Sequence, residues 1–267
     1  MSGTESAPKT PSSSAAKKIR VIEVGPRDGL QNEKVRVPAS AKVELVERLV
    51  DAGLRDVEVG SFVHPKWVPQ MADTAEVARR IRRVDGVRYW ALVPNARGLE
   101  FAVQANLTHI AVFLSSSETH NRKNINRSIA ESLATVTEVT RTALGEGLTV
   151  RGYISTVFGC PYEGEVDFGR VLDIGAALLD AGVVQISLGD TTGMGIPPQV
   201  REGCARAVET FGTERVALHL HDTRGLGLVN AAQALEVGVT TFDSSVGGMG
   251  GCPYAPGASG NLGTEDL

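Results

Sequence analysis

Eight short runs of β-branched and apolar residues alternate with longer stretches of helical period, and this alternation restricts the fold more than any other feature of the 267-residue chain. The runs are IRVIEV (19–24), DVEVGSF (56–62), RYWALV (88–93), HIAVFLS (109–115), TVRGYISTVF (149–158), VVQISL (183–188), RVALHL (215–220) and TTFDSSV (240–246). Between them lie amphipathic segments such as SAKVELVERLVDAG (40–53), RSIAESLATVTEVTRTALGEG (127–147), DFGRVLDIGAALLDAG (167–182) and GLVNAAQALEVG (227–238). Several of these end at a glycine and enter the next strand within a few residues, as a left-handed helix C-cap requires. Strictly alternating strand and helix predict a parallel sheet. Eight units predict an α/β (β/α)8 TIM barrel. A doubly wound open sheet is the alternative, but no GxGxxG follows the first strand. The last run is followed by a Gly-rich loop and TEDL, which looks like the N-cap and first turn of a helix that the chain does not complete. The C-terminal helices are therefore expected to be truncated, leaving a fragment or an edge that a partner covers. Residues 1–18 are rich in Ser, Pro and Ala and are expected to form a disordered tail, with 19–267 as the catalytic barrel.

In such a barrel the loops after the carboxyl ends of the strands build the site, and the distinctive polar residues gather there. RVALHLHD places His219 and His221 on one face of a strand, within reach of a single ion. A pair of buried, satisfied histidines is the plainer alternative. Asp28, in VGPRDGLQNE, is the natural carboxylate partner for both imidazoles, although RDG also suits an Asx-type turn. Asn261 can add a carbonyl oxygen. Arg27, beside a metal ligand, is placed to stabilise developing negative charge. Cys252 lies in GGMGGCPYAPGASGN, a loop glycine-rich enough to close over a site, or else is a small buried hydrophobe. Cys160 repeats the CPY triplet, and Cys204 reads as helix core.

A net charge of −4 with mixed signs argues against a nucleic-acid surface. Three scattered cysteines without a CxxC pattern suit a reducing setting. No apolar run approaches membrane-spanning length. The N-terminal segment lacks the apolar core of a secretory signal, and a mitochondrial presequence is the lesser reading because no arginine precedes Arg20.

The motifs EVGPRDGLQNE, SFVHPKWVPQMAD, FGCPYEG, LGDTTGMG, HLHDTRGLGLVN and GGMGGCPYAPGASGNLGTEDL closely resemble those of the 3-hydroxy-3-methylglutaryl-CoA lyases, from about residue 19 to the end. HxHD is shared more widely, with isopropylmalate and homocitrate synthases, 4-hydroxy-2-oxoacid aldolases and transcarboxylase domains. The resemblance implies a TIM barrel and a divalent metal, Mg2+ or Mn2+, on Asp28, His219, His221 and Asn261. It implies catalytic roles for Arg27, Glu58 and the loop cysteine Cys252, with Arg27 and Gln31 contacting substrate. It further implies retro-Claisen cleavage of an acyl-CoA to acetyl-CoA and acetoacetate, a homodimer, and a cytoplasmic location (the mitochondrial matrix in a eukaryote). Alternatives are a lyase for a longer branched acyl-CoA, a condensing acyltransferase of the synthase type, and a metal-binding barrel without catalysis. The loop cysteine argues against the synthase, and intact Arg27, Glu58 and Cys252 argue against the inactive barrel.

Overall fold

The computed structural model describes residues 18–250 and 260–267, so the tail and Cys252 lie outside the described residues. Eight parallel strands close in chain order into a barrel: β1 (Arg20–Glu23), β2 (Asp56–Ser61), β3 (Arg88–Leu92), β4 (His109–Ser115), β5 (Thr149–Ser155), β6 (Gln185–Asp190), β7 (Val216–Leu220) and β8 (Thr241–Ser244). β1 closes the ring on β8, Arg20 facing Thr241 and Glu23 facing Ser244. The helices between them are α1 (Ala39–Asp51), α2 (Thr74–Arg80), α3 (Ala96–Gln104), α4 (Glu118–Ile125), α5 (Ile129–Gly145), α6 (Phe168–Asp180), α7 (Pro197–Phe211) and α8 (Gly227–Glu236). No described helix is long and apolar enough to cross a membrane.

The eight-unit reading holds, with one addition. The β4–β5 connection carries two helices, because Asn126 adopts a left-handed conformation that ends α4 and Ser128 starts α5 with a reciprocal capping box to Glu131. The glycine joints also behave as expected. At Gly53 (φ 109°) the chain turns left-handed, Leu54 donates to the Leu49 carbonyl and Gly53 to that of Val50, which closes the end of α1.

Strand parity divides the barrel into two environments. Val57, Val59, Ile110, Val112, Val150, Ile154, Ile186, Leu188, Leu218 and Phe242 pack outward against Val46, Val77, Leu99, Val136, Leu178 and Val200 of the helices. Each such fully buried side chain contributes about 1.5–3 kcal/mol. Many of the alternate, inward-pointing positions are polar, including Asp56, Glu58, Arg151, Gln185, Ser187, His219 and Asp243, all buried, while Leu92, Ala111 and Phe113 form a small apolar cluster with Tyr153. Their contacts cross the barrel: Tyr153 on β5 reaches Glu58 on β2, and Arg151 on β5 reaches Asp243 on β8.

The first residues of three strands form the barrel floor. Asp56 accepts from Arg20 (Nε 2.9 Å, Nη2 2.6 Å), from Arg88 (Nε 2.6 Å, Nη2 2.5 Å) and from Trp90 Nε1 (3.0 Å). Burial pushes its carboxyl up, but the hydrogen bonds from Arg88 and Arg20 outweigh this and hold it well below the usual carboxylate range. Asp56→Ala is expected to cost about 3 kcal/mol, the low end for breaking a buried pair, because both arginines can regain water. A depressed carboxyl stabilises the fold above its unfolded value near 3.9, and that stabilisation is lost as pH falls through the folded value. Melting curves between neutral and acid pH check this: the gap between wild type and Asp56→Asn should narrow as pH falls. A gap independent of pH would show that the clamp is not electrostatic.

Candidate active site

The site opens at the carboxyl ends of the strands. After β1 the chain makes one π-helical turn, Gly25–Gly29, in which the Val24 carbonyl accepts the N–H groups of Arg27 (3.0 Å), Asp28 (2.7 Å) and Gly29 (3.3 Å). Glu23 anchors the turn by accepting the Gly25 N–H at 2.7 Å, and a Cβ on Gly25 would lie only 2.6 Å from that carboxylate. The turn therefore needs glycine there, and it directs Arg27 and Asp28 into the barrel mouth. His219 and His221 come from the end of β7, on the shared face that the HxH spacing predicts.

These elements converge. Asp28 Oδ2 lies 3.8 Å from His219 Nε2 and 3.9 Å from His221 Nε2. Among the described residues, this trio alone brings three potential His, Cys, Asp or Glu ligand atoms within 4.8 Å of one another. The backbones of His221 and Asn261 form an antiparallel bridge, which delivers Asn261 to the same point. Asn261 Nδ2 donates to Asp28 Oδ2 (2.9 Å) and to the Met249 carbonyl (3.0 Å), while its buried Oδ1 has no hydrogen-bond partner. Gln31 Nε2 donates to Asp28 Oδ1 at 2.8 Å.

The charges suit a cation. Burial would raise the Asp28 carboxyl, but the Arg27 guanidinium, His219 and His221 outweigh it and hold it well below the usual range. Burial, reinforced by His219, pushes His221 down to about 4, so its imidazole is neutral at neutral pH. An ionised carboxylate, a neutral imidazole with a second beside it, and an unpaired amide oxygen form a donor set that fits a divalent ion.

Arg27 is fixed from two sides, by Asp28 and by Glu58: Nε donates to Glu58 Oε2 at 2.8 Å, and Nη2 lies 2.8 Å from the same oxygen in an ion pair. Burial opposes its charge, and the flanking carboxylates more than restore it, so the guanidinium stays charged. Glu58 Oε2 also accepts from Tyr153 Oη at 3.1 Å, and the Tyr153 ring meets the His219 ring edge-on with centroids 5.9 Å apart. A cavity of about 380 Å³ opens above this cluster, walled by Tyr153, Phe113, Leu92 and the exposed Trp67. The structure thus brings Arg27, Asp28, Gln31, Glu58, His219, His221 and Asn261 together.

A family model, HMGL-like, matches residues 18–267. The chain belongs to the HMGL-like family. Within it, the chain is 50% identical over 251 residues to hydroxymethylglutaryl-CoA lyase YngG of Bacillus subtilis (strain 168), covering 94% of this chain and 84% of that protein. It is 49% identical over 251 residues to the mitochondrial hydroxymethylglutaryl-CoA lyase of Bos taurus, covering 94% and 77%. The crystal structure of the B. subtilis HMG-CoA lyase superposes with a TM-score of 0.92 over 94% of this chain and 84% of that one.

Among the polar residues of this HMGL-like barrel that escape the sequence reading are Arg151, Tyr153, Ser187 and Asp243. The available signal was charge in a strand core, since Arg151 interrupts an otherwise apolar run and Tyr153 shares its face two residues on. Asp190, at the end of β6, has its carboxyl pushed up to about 6 by burial. It accepts the Met194 and Gly195 N–H groups and shapes its own loop.

Proposed function

We propose that this chain is a divalent-metal-dependent carbon–carbon lyase that cleaves 3-hydroxy-3-methylglutaryl-CoA to acetyl-CoA and acetoacetate. The observation that carries the reading is a guanidinium fixed immediately beside the Asp28, His219 and His221 trio, in a chain half-identical to named hydroxymethylglutaryl-CoA lyases. Asp28, His219 and His221 would hold the ion, with Asn261 Oδ1 as a fourth donor, and this mixed nitrogen and oxygen set supports Mg2+ or Mn2+. When bound, the ion supplies Lewis acidity that lowers the pKa of a hydroxyl at the site.

The chain's own groups account for the remaining demands. As a base at the site, the Asp28 carboxylate or a water beside it, takes the proton of the tertiary hydroxyl, the C–C bond breaks, a ketone forms and the bonding electrons pass to the thioester enolate. Arg27 stands where that negative charge develops, held still by Glu58 and Asp28, so little reorganisation is needed. Gln31, hydrogen-bonded to Asp28, lines the same mouth. Cys252 gives the enolate its proton, completing acetyl-CoA. Free thiols at Cys160 and Cys204 and an acyl-CoA substrate support a reducing compartment, the cytoplasm in this reading.

Acetoacetate release from purified protein and hydroxymethylglutaryl-CoA, with and without Mg2+ or Mn2+, tests the reaction. Metal-dependent release is expected. Condensation of acetyl-CoA with a 2-oxoacid in place of cleavage would reassign the chain to the synthase class.

Thiol alkylation checks the role of Cys252. Iodoacetamide should inactivate the enzyme and substrate should protect it, because Cys160 and Cys204 are both buried and burial pushes the Cys204 thiol up to about 12. Cys252→Ala should lose roughly 100-fold or more in kcat, the scale of a general acid. Normal turnover in that variant would mean the proton comes from elsewhere.

A further inference from the structure

We infer that Asp243 is the positioning residue for His219, selecting the imidazole tautomer that turns a bare Nε2 toward the ion. The inference rests on the metal reading above. Asp243 faces His219 across the β7–β8 register and points into the barrel, where it is buried. Its Oδ1 accepts from Arg151 Nη2 at 2.9 Å and its Oδ2 from Ser187 Oγ at 2.7 Å. That same Oδ2 lies 3.4 Å from His219 Nδ1. The imidazole therefore spans from Asp243 on one side to Asp28, 3.8 Å from Nε2, on the other.

A neutral imidazole carries one N–H, and the nitrogen that bears it cannot also present a lone pair to an ion. A carboxylate beside Nδ1 makes Nδ1 the protonated nitrogen and leaves Nε2 bare, and it fixes the ring's rotation at the same time. At 3.4 Å the carboxylate oxygen is within ion-pair range of Nδ1 and beyond a well-formed hydrogen bond. Arg151 supplies the counter-charge that lets a carboxylate sit inside the barrel. Nδ1 of both histidines is buried without a hydrogen-bond partner among the described residues, and it is His219 whose Nδ1 has a carboxylate oxygen within ion-pair range.

Asp243→Asn inverts the arrangement at nearly constant shape. Arg151 retains the amide oxygen, so the NH2 group faces Nδ1 and favours the Nε2–H tautomer. Two measurements on metal-free protein test this. Long-range 1H–15N spectra of histidine-labelled wild type should show His219 protonated on Nδ1, and the variant should show Nε2 protonation. Mn2+ titration followed by electron paramagnetic resonance should show the variant binding about 10–100-fold more weakly, the scale found for outer partners of metal-ligating histidines. If Asp243→Asn fails to fold around the uncompensated Arg151, the double variant Asp243→Leu/Arg151→Met removes both charges and should show the same weakening. An Nε2-protonated His219 in the wild type overturns the inference without any variant, as does a folded variant that binds Mn2+ as tightly as wild type. Wild-type protein that binds no Mn2+ would instead overturn the metal reading itself.

Discussion

Replacing His221 with alanine is expected to abolish metal-dependent turnover while the fold survives. His221 presents Nε2 to the same point as Asp28 and His219, so its loss leaves two protein ligands and the Asn261 oxygen. A metal ion stabilises transition-state charge by several kcal/mol, so its loss should lower kcat by roughly 1,000-fold or more. The barrel should tolerate the change because the bridge between His221 and Asn261 runs through backbone atoms that alanine retains. The imidazole also borders the cavity, so water can fill its place. Circular dichroism and a Mn2+ titration separate the two effects: native ellipticity with no Mn2+ binding is the expected pair. Full activity in His221→Ala, or in wild type after chelation, would remove the trio from the mechanism.

Arg27→Gln is the second large effect. A charge aimed at the enolate acts mainly in the transition state, so kcat should fall roughly 100- to 1,000-fold while KM moves little. Geometry sharpens this, because the guanidinium donates to Glu58 through Nε and to Asp28 through Nη1, with Nη2 in an ion pair to the same Glu58 oxygen. Lysine carries the charge without that fork, so Arg27→Lys should recover only a small part of kcat. Arg27→Gln should also melt earlier than wild type, since Glu58 is left buried without its cation. Steady-state kinetics on the two variants decide the matter. An unchanged kcat with a raised KM would make Arg27 a substrate-binding residue.

The fold was legible because strand and helix alternate with different periods, and because glycines such as Gly53 mark where one gives way to the other. The trio was legible for a related reason. His219 and His221 are two apart on a strand, so their shared face is a local property, and Asp28 falls at a strand end where only fold-level geometry is needed to bring it close. Asp243 and Arg151 were not legible as a pair. They are 92 residues apart and meet only because β5 and β8 face each other across a closed ring. The same holds for Tyr153 and Glu58, 95 residues apart. Local period shows which way such side chains point, but not which of the other inward positions each will meet. The extra helix α4 was missed for the opposite reason: its start at Ser117 and its end at Asn126 are set by one cap and one left-handed residue, signals too short to stand out in a polar stretch.

The pairing of β1 with β8 has a consequence for how the protein is made. β1 ends at Glu23 and its partner β8 at Ser244, so at a synthesis rate of 5–20 residues per second roughly ten to forty-five seconds separate their appearance. Through that interval the nascent chain holds one unpaired edge of β1, and for most of it carries Asp28 without either histidine. Asn261 emerges later still. Until His219 and His221 have emerged, the nascent chain cannot assemble the trio. The exposed edge is also the point at which a stalled or interrupted chain is most open to misassociation with its neighbours on a polysome, and where a chaperone would have most to shield.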